Sequence, residues 1–367
     1  MKRVILFSIS TLLVLCTCDP NLSNKANDFA DLNSNKNNLA RSLDQIIKHF
    51  NDSGFIGCVL VADSNKLILN KSYGFSKTVI DSASCFWIAS NTKPFTAIAI
   101  MKLVEEGKLS VKDSLPQFFK NVPSDKVHIT IEQLLTHSSG LTDDIAYGEK
   151  NKIKAIDKIL SSHLISKPGE QENYTNNGYE LLEVIIELVS KEKYSDFIRK
   201  NIFKKADMHS SGFIGDSGIV VDPPSESKDY QSLRSVEFNG NNRTPVLFLG
   251  AGGISSNTID LYKMMTALKC GKIINKNTLD LLFKPRINIQ KKHDTTLSWG
   301  YGWVVQKTGH KTEIRHSGRS TWLHNSRMFF LHNGYIVIIW ARDNGPDKKA
   351  WATEISRPLI RNINTLE

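Results

Sequence analysis

Hydrophobic and polar positions follow two rhythms along this chain. Near the start, Leu39, Leu43, Ile46, Ile47 and Phe50 recur at helical spacing, which predicts a helix over 39–50 that stops before Asn51-Asp52-Ser53-Gly54. Residues 57–62 and 66–75 are apolar stretches of strand length separated by Asp63-Ser64-Asn65, the pattern of a hairpin. Residues 95–104 are so uniformly apolar that they predict a helix buried on all sides, with Pro94 marking its first turn. Helical signals then dominate 129–203, with Thr130 as N-cap of 131–135 and amphipathic runs at 153–164 and 178–193. The stretch 212–249 is polar and rich in Gly, Ser and Asn, which predicts a loop facing the substrate. Strand patterns return at 301–305, 313–316, 326–331 and 335–340, with His332-Asn333-Gly334 as a turn, and a helix over 348–362 ends the chain. Strands at both ends and helices between them predict an α+β fold: one antiparallel sheet built from both termini, flanked by helices, with a mostly helical insertion.

The first residues change the picture of where the protein resides. Met1-Lys2-Arg3 and the apolar run 4–15 have the charge and length of an export signal, too short to span a membrane comfortably. Cys16 and Cys18 follow at the place of a lipoprotein cysteine, and Cys18 is the better candidate because small Thr17 precedes it. The expected organisation is a leader over 1–18, a polar tether over 19–38 and one catalytic domain over 39–367. In that domain a sheet part covers about 39–85 and 295–367, and a helical part about 86–294. Localisation would be the bacterial periplasm or cell envelope, with a membrane partner through the lipid. Cys58, Cys85 and Cys270 imply neither a disulfide framework nor a metal site. The net charge of +10 is spread without a basic tract interleaved with aromatics, so nucleic acid is not an expected partner.

Candidate chemistry centres on Ser90-Asn91-Thr92-Lys93. Residues three apart share a helix face, so Lys93 can stand beside the Ser90 hydroxyl and take its proton. Tyr174 and Asn176, two apart in a loop leading into a helix, offer a proton carrier and an amide for orienting substrate. His316-Ser317-Gly318 places a polar residue and a glycine on a strand that a substrate backbone could approach.

Taken in order, Ser-x-x-Lys, Tyr-x-Asn and His-x-Gly resemble the serine beta-lactamase and penicillin-binding-protein superfamily, with the nearer match in the class C beta-lactamase, D-alanyl-D-alanine carboxypeptidase and esterase branch. The segments around Thr136-His137-Ser138, Pro168-Gly169, Ala251-Gly252-Gly253 and Gly300-Tyr301-Gly302-Trp303 look like that branch too, and Trp322 departs from it where a small residue is commoner. The resemblance implies a beta-lactamase-like fold with the site between sheet and helical parts. It implies an acyl-enzyme on Ser90, with Lys93 and Tyr174 sharing the proton. The oxyanion would lie between the backbone N–H groups of Ser90 and Arg319. Asn176 and the strand residues His316, Ser317, Gly318 and Arg319 would bind substrate, with His316 holding Tyr174 or a substrate carboxylate. His137 reads as structural. No metal and no organic cofactor is expected. Substrates would be a beta-lactam, a D-Ala-D-Ala peptide or an ester; a carboxylesterase with the same site and a non-catalytic penicillin- or cell-wall-binding lipoprotein are the alternatives.

Overall fold

The computed structural model describes residues 34–63, 66–74, 85–143, 149–214, 216, 246–319, 324–342 and 350–365. Cys18, Trp322 and most of the 212–249 stretch lie outside the described residues. In chain order the elements are α1 (Ser34–Asp52), β1 (Ile56–Ala62), β2 (Leu67–Tyr73), β3 (Phe86–Trp87), a 3-10 turn (Ala89–Thr92), α2 (Lys93–Glu105), α3 (Ile131–Leu135), α4 (Lys152–Ser161), α5 (Asn176–Ser190), α6 (Tyr194–Ile198), β4 (Gly212–Phe213), α7 (Leu249–Gly252), β5 (Ile254–Ser256), α8 (Thr258–Lys269), α9 (Lys276–Leu282), β6 (Ile287–Lys292), β7 (Thr295–Trp299), β8 (Val304–Thr308), β9 (Lys311–Arg319), β10 (His324–Phe330), β11 (Ile336–Arg342) and α10 (Trp351–Ile363).

One eight-stranded antiparallel sheet runs in the order β2-β1-β11-β10-β9-β8-β7-β6, so the first and last strands of the chain are neighbours, as expected. Both faces of its centre are covered, which is why β1 and β11 read as unbroken apolar runs rather than alternating ones. Val59, Val61, Val337 and Ile339 pack with Leu43 and Ile47 of α1 and with Ile355 and Leu359 of α10. On the other face, Leu60, Ala62, Ile336 and Ile338 belong to the larger core that contains α2 and α5. Each such side chain stabilises the fold by about 1.5–3 kcal/mol on burial. Helix α2 is buried from Lys93 through Met101, with no polar face, as its sequence demanded.

Three boundaries differ from expectation. Helix α1 starts at Ser34, inside the stretch assigned to the tether, because its polar first turns need no buried face to extend a helix anchored by Leu39, Leu43 and Ile47. The sheet begins at Ile287 rather than near 295: β6 and β7 form a hairpin whose outer strand is mostly exposed. A second, three-stranded sheet, β3-β5-β4, uses strands of two or three residues, too short for any periodicity to announce.

Candidate active site

The chain reaches Ser90 through a strained corner. Ala89 has φ of +47°, a conformation that residues with a Cβ rarely adopt, and it is buried. The 3-10 turn from Ala89 to Thr92 then feeds directly into α2, with Pro94 in the first turn of the helix. Lys93 precedes that proline and is nevertheless helical, at φ −57° and ψ −40°. Tertiary bonds around the turn outweigh the local bias against that conformation. Asn91 Nδ2 donates to Ser326 Oγ of β10 at 2.7 Å, Ile254 N–H of β5 donates to Thr92 Oγ1 at 3.1 Å, and Ile88 N–H donates to the Ile254 carbonyl at 3.1 Å. Gly318 of β9 completes the seat: a Cβ there would lie 2.0 Å from the Ile88 carbonyl oxygen, so only glycine lets the strand close on the turn.

Lys93 is fully buried, and its three polar neighbours match what a terminal amine can engage. Nζ lies 3.2 Å from Ser90 Oγ, 2.7 Å from Asn176 Oδ1 and 2.9 Å from the Ala251 carbonyl oxygen. An ammonium donates to all three; a neutral amine keeps two N–H donors for Asn176 and Ala251 and turns its lone pair to the Ser90 hydroxyl. The same cradle therefore serves both states of a proton acceptor. The rings of Tyr174 and Tyr179 flank the nitrogen, with centroids at 4.8 and 5.6 Å.

Tyr174 and Asn176 reach this point from the entry to α5. Thr175 is the N-cap, accepting from Asn177 N–H with its hydroxyl, and Asp143 Oδ1 accepts from Thr175 Oγ1 at 3.1 Å and Asn176 N–H at 2.5 Å. Tyr174 is 37% exposed, and its ring stacks on His137 at 4.3 Å and 26°, with Trp299 at 6.0 Å. Among the described residues its hydroxyl makes no hydrogen bond, and it is the ring, not the hydroxyl, that meets Lys93.

His137, read from sequence as a structural residue, lies in the site. It is buried at φ +54°, its Nδ1 accepts from Thr175 N–H at 3.2 Å, and its carbonyl accepts from Asn173 N–H at 2.6 Å. Burial, then the nearby charge of Lys93 and then His316 hold its pKa well below the usual range for histidine. Its sequence neighbours Thr136, Ser138 and Ser139 carry no spacing that points to Lys93 or Tyr174.

Strand β9 divides its residues by parity. His316 and Gly318 are buried, while Ser317 and Arg319 are exposed, so what the last two can present near Ser90 is backbone rather than side chain. Pairing with β8 ends at Arg315, so 316–319 ladder with β10 alone and leave one edge of the strand without a β8 partner. Burial, followed by Lys93, pushes the His316 pKa down to about 3. The ring is neutral near neutral pH, and its ring contact is with Trp299 at 5.9 Å rather than with Tyr174.

The sequence profile of the Beta-lactamase family matches residues 43–357. A penicillin-binding protein of Bacillus subtilis is 31% identical over 292 residues, which span 72% of this chain and 63% of that longer protein. Among solved structures, the penicillin-binding protein from Bacillus halodurans superposes with a TM-score of 0.70 at 22% identity, covering 89% of this chain and 99% of that one. The D-amino acid amidase from Ochrobactrum anthropi, solved with D-phenylalanine, gives 0.71 at 19% identity, covering 90% and 100%. At such identities the superpositions speak for the fold, and the profile speaks for descent. With a match that runs from α1 into α10 and encloses every residue of the site described above, this chain belongs to the Beta-lactamase family.

Proposed function

We propose that the protein is a serine hydrolase that cleaves an amide carbonyl in a beta-lactam or a D-alanine-containing peptide through an acyl-enzyme on Ser90. The observation that carries this reading is the buried Lys93 nitrogen, 3.2 Å from the Ser90 hydroxyl and bonded so that it can give or take one proton without losing a partner. Ser90 Oγ forms the bond to the carbonyl carbon as its proton passes to Lys93, and the oxyanion collects at the backbone N–H groups of Ser90 and Arg319. Collapse breaks the carbon–nitrogen bond; the Tyr174 hydroxyl, which makes no hydrogen bond among the described residues, gives its proton to the leaving nitrogen and is reprotonated by the proton held on Lys93. Water then attacks the ester, gives its proton back along the same route and releases Ser90. Asn176 orients the substrate amide, and the edge of β9 at 316–319 aligns its backbone.

Two relatives support the substrate class by name, a penicillin-binding protein and a D-amino acid amidase. Hydrolysis of nitrocefin, a D-Ala-D-Ala peptide and a p-nitrophenyl ester is to be compared on wild type and Ser90→Ala. Turnover of the first or second substrate that vanishes in the variant is expected. Turnover of the ester alone points to a carboxylesterase, and no Ser90-dependent turnover of any of the three leaves a binding protein.

Export and lipid attachment at Cys18 are proposed from residues 1–18 alone. Palmitate incorporation that is lost in Cys18→Ser supports them, and incorporation that persists in that variant moves the anchor elsewhere.

A further inference from the structure

Behind Lys93 lies a buried acid that the chemistry above does not use. Glu183 of α5 is 2% exposed, and its Oε2 accepts the Gly250 N–H at 2.8 Å. The next residue, Ala251, supplies the carbonyl that accepts from Lys93 Nζ at 2.9 Å. Helix α2 holds the neighbouring peptide, between Gly250 and Ala251. Thr96 Oγ1 donates to the Gly250 carbonyl at 2.6 Å and shares a hydrogen bond with the Tyr194 hydroxyl at 2.7 Å. Acid and glycine fit as a pair, since a Cβ at residue 250 would stand 2.8 Å from the Glu183 Cβ and 2.9 Å from the Tyr179 carbonyl oxygen.

We propose that Glu183 is a positioning residue for Lys93: by gripping the Gly250 N–H it sets the Ala251 carbonyl and, through it, the orientation of the Lys93 amine toward Ser90. The proposal rests on the reading of Ser90 and Lys93 as nucleophile and base. It goes beyond that reading because Glu183 touches neither substrate nor nucleophile.

The grip is sensitive to protonation. A carboxylate binds an N–H about twice as strongly as a neutral acceptor does. Facing Glu183 are Lys152 of α4, Tyr194 of α6, Glu187 on its own helix, and the N–H groups of Gly250 and Phe248. Lys152 is engaged by Glu187, so burial dominates and pushes the Glu183 carboxyl up to about 7. Near neutral pH the clamp on the Lys93 acceptor therefore passes between a weaker and a stronger form.

The test uses the full chain as wild type, Glu183→Gln and Glu183→Leu. Lys93 Nζ is followed by NMR in nitrogen-15-lysine protein, with its signal identified by its loss in Lys93→Arg, and phosphonylation of Ser90 by a fluorophosphonate, with loss of fluoride, is measured against pH. In wild type the Lys93 signal and the saturating phosphonylation rate are expected to change together around pH 7. Gln, which keeps an acceptor but cannot titrate, should erase that inflection in both. Leu should lower the saturating rate about tenfold and leave the half-saturating concentration unchanged. A Lys93 signal that titrates identically in wild type and Glu183→Gln overturns the proposal, and Gln alone decides if Leu does not fold. The signal does not depend on turnover, so a wild type that is never modified at Ser90 removes the proposed function while the NMR comparison still decides the role of Glu183.

Discussion

The two halves of the site are held by different forces. On the Ser90 side, the 3-10 turn, Lys93 and the Gly250–Ala251 peptide are buried and joined by hydrogen bonds to β5, β10 and α5. On the Tyr174 side, a partly exposed ring is stacked on His137, and its hydroxyl is unbonded among the described residues. Hydrogen bonds fix direction, while stacking fixes a plane and leaves motion within it. The difference fits a division of labour: a nucleophile and base that must be pre-organised, and a proton carrier that must follow a leaving group.

The largest effects should come from breaking the buried half. Ser90→Ala is expected to lower turnover at least about a thousandfold at unchanged melting temperature. Lys93→Ala should match that loss and also destabilise the fold, because the buried Ala251 carbonyl loses the Lys93 donor, at about 1–3 kcal/mol. Kinetics paired with thermal unfolding separates the two variants.

Next in size is a pH effect on stability from the same half. Glu183 moves from 4.5 in an unfolded chain to about 7 in the fold. Between those values the unfolded chain has released the proton and the native one has kept it, so the contribution of Glu183 falls as pH rises through 4.5–7 and is constant outside that window. The full change is about 3 kcal/mol for a buried group. His137, His316 and His324, buried and held neutral, act in the opposite direction by weakening the fold as pH drops below 6.5. The effect is therefore read as the difference between wild type and Glu183→Gln in urea unfolding across pH 4–8. A pH-independent difference would count against the burial assigned to this carboxyl.

The stacked half should give smaller effects. Tyr174→Phe removes only a hydroxyl that makes no hydrogen bond among the described residues, so turnover should drop about a hundredfold while stability stays within about 0.5 kcal/mol. Near-normal turnover would take Tyr174 out of the proton path. Smallest of all is His137→Phe, which keeps a ring under Tyr174 and loses the acceptor for Thr175 N–H. A turnover loss of about tenfold is expected, with the half-saturating concentration unchanged.

What could be read in the sequence follows from the same physics. Strands β1 and β11 and helix α2 were legible because burial on every side writes an unbroken apolar run. Ser90, Lys93, Tyr174 and Asn176 were legible as short spacings, and Lys93 does bring Ser90 and Asn176 together. Strands β6 and β7 were not, since Lys291, Lys292, His293 and Asp294 sit where a partly exposed hairpin tolerates any polar residue. His137 and Glu183 were missed for a different reason. Each acts through contacts across 38 or 67 residues of sequence, and no local pattern records such a partner. The separation of Ser317 and Arg319 from His316 and Gly318 was implicit in strand parity and needed only the register to become definite.

The most direct test is the intact mass of wild type, Ser90→Ala and Tyr174→Phe after exposure to a fluorophosphonate. The account predicts one adduct in wild type, mapped to Ser90 by peptide digestion, an adduct at the same residue in Tyr174→Phe, and none in Ser90→Ala. A wild type that stays unmodified, or an adduct that survives in Ser90→Ala, would contradict it.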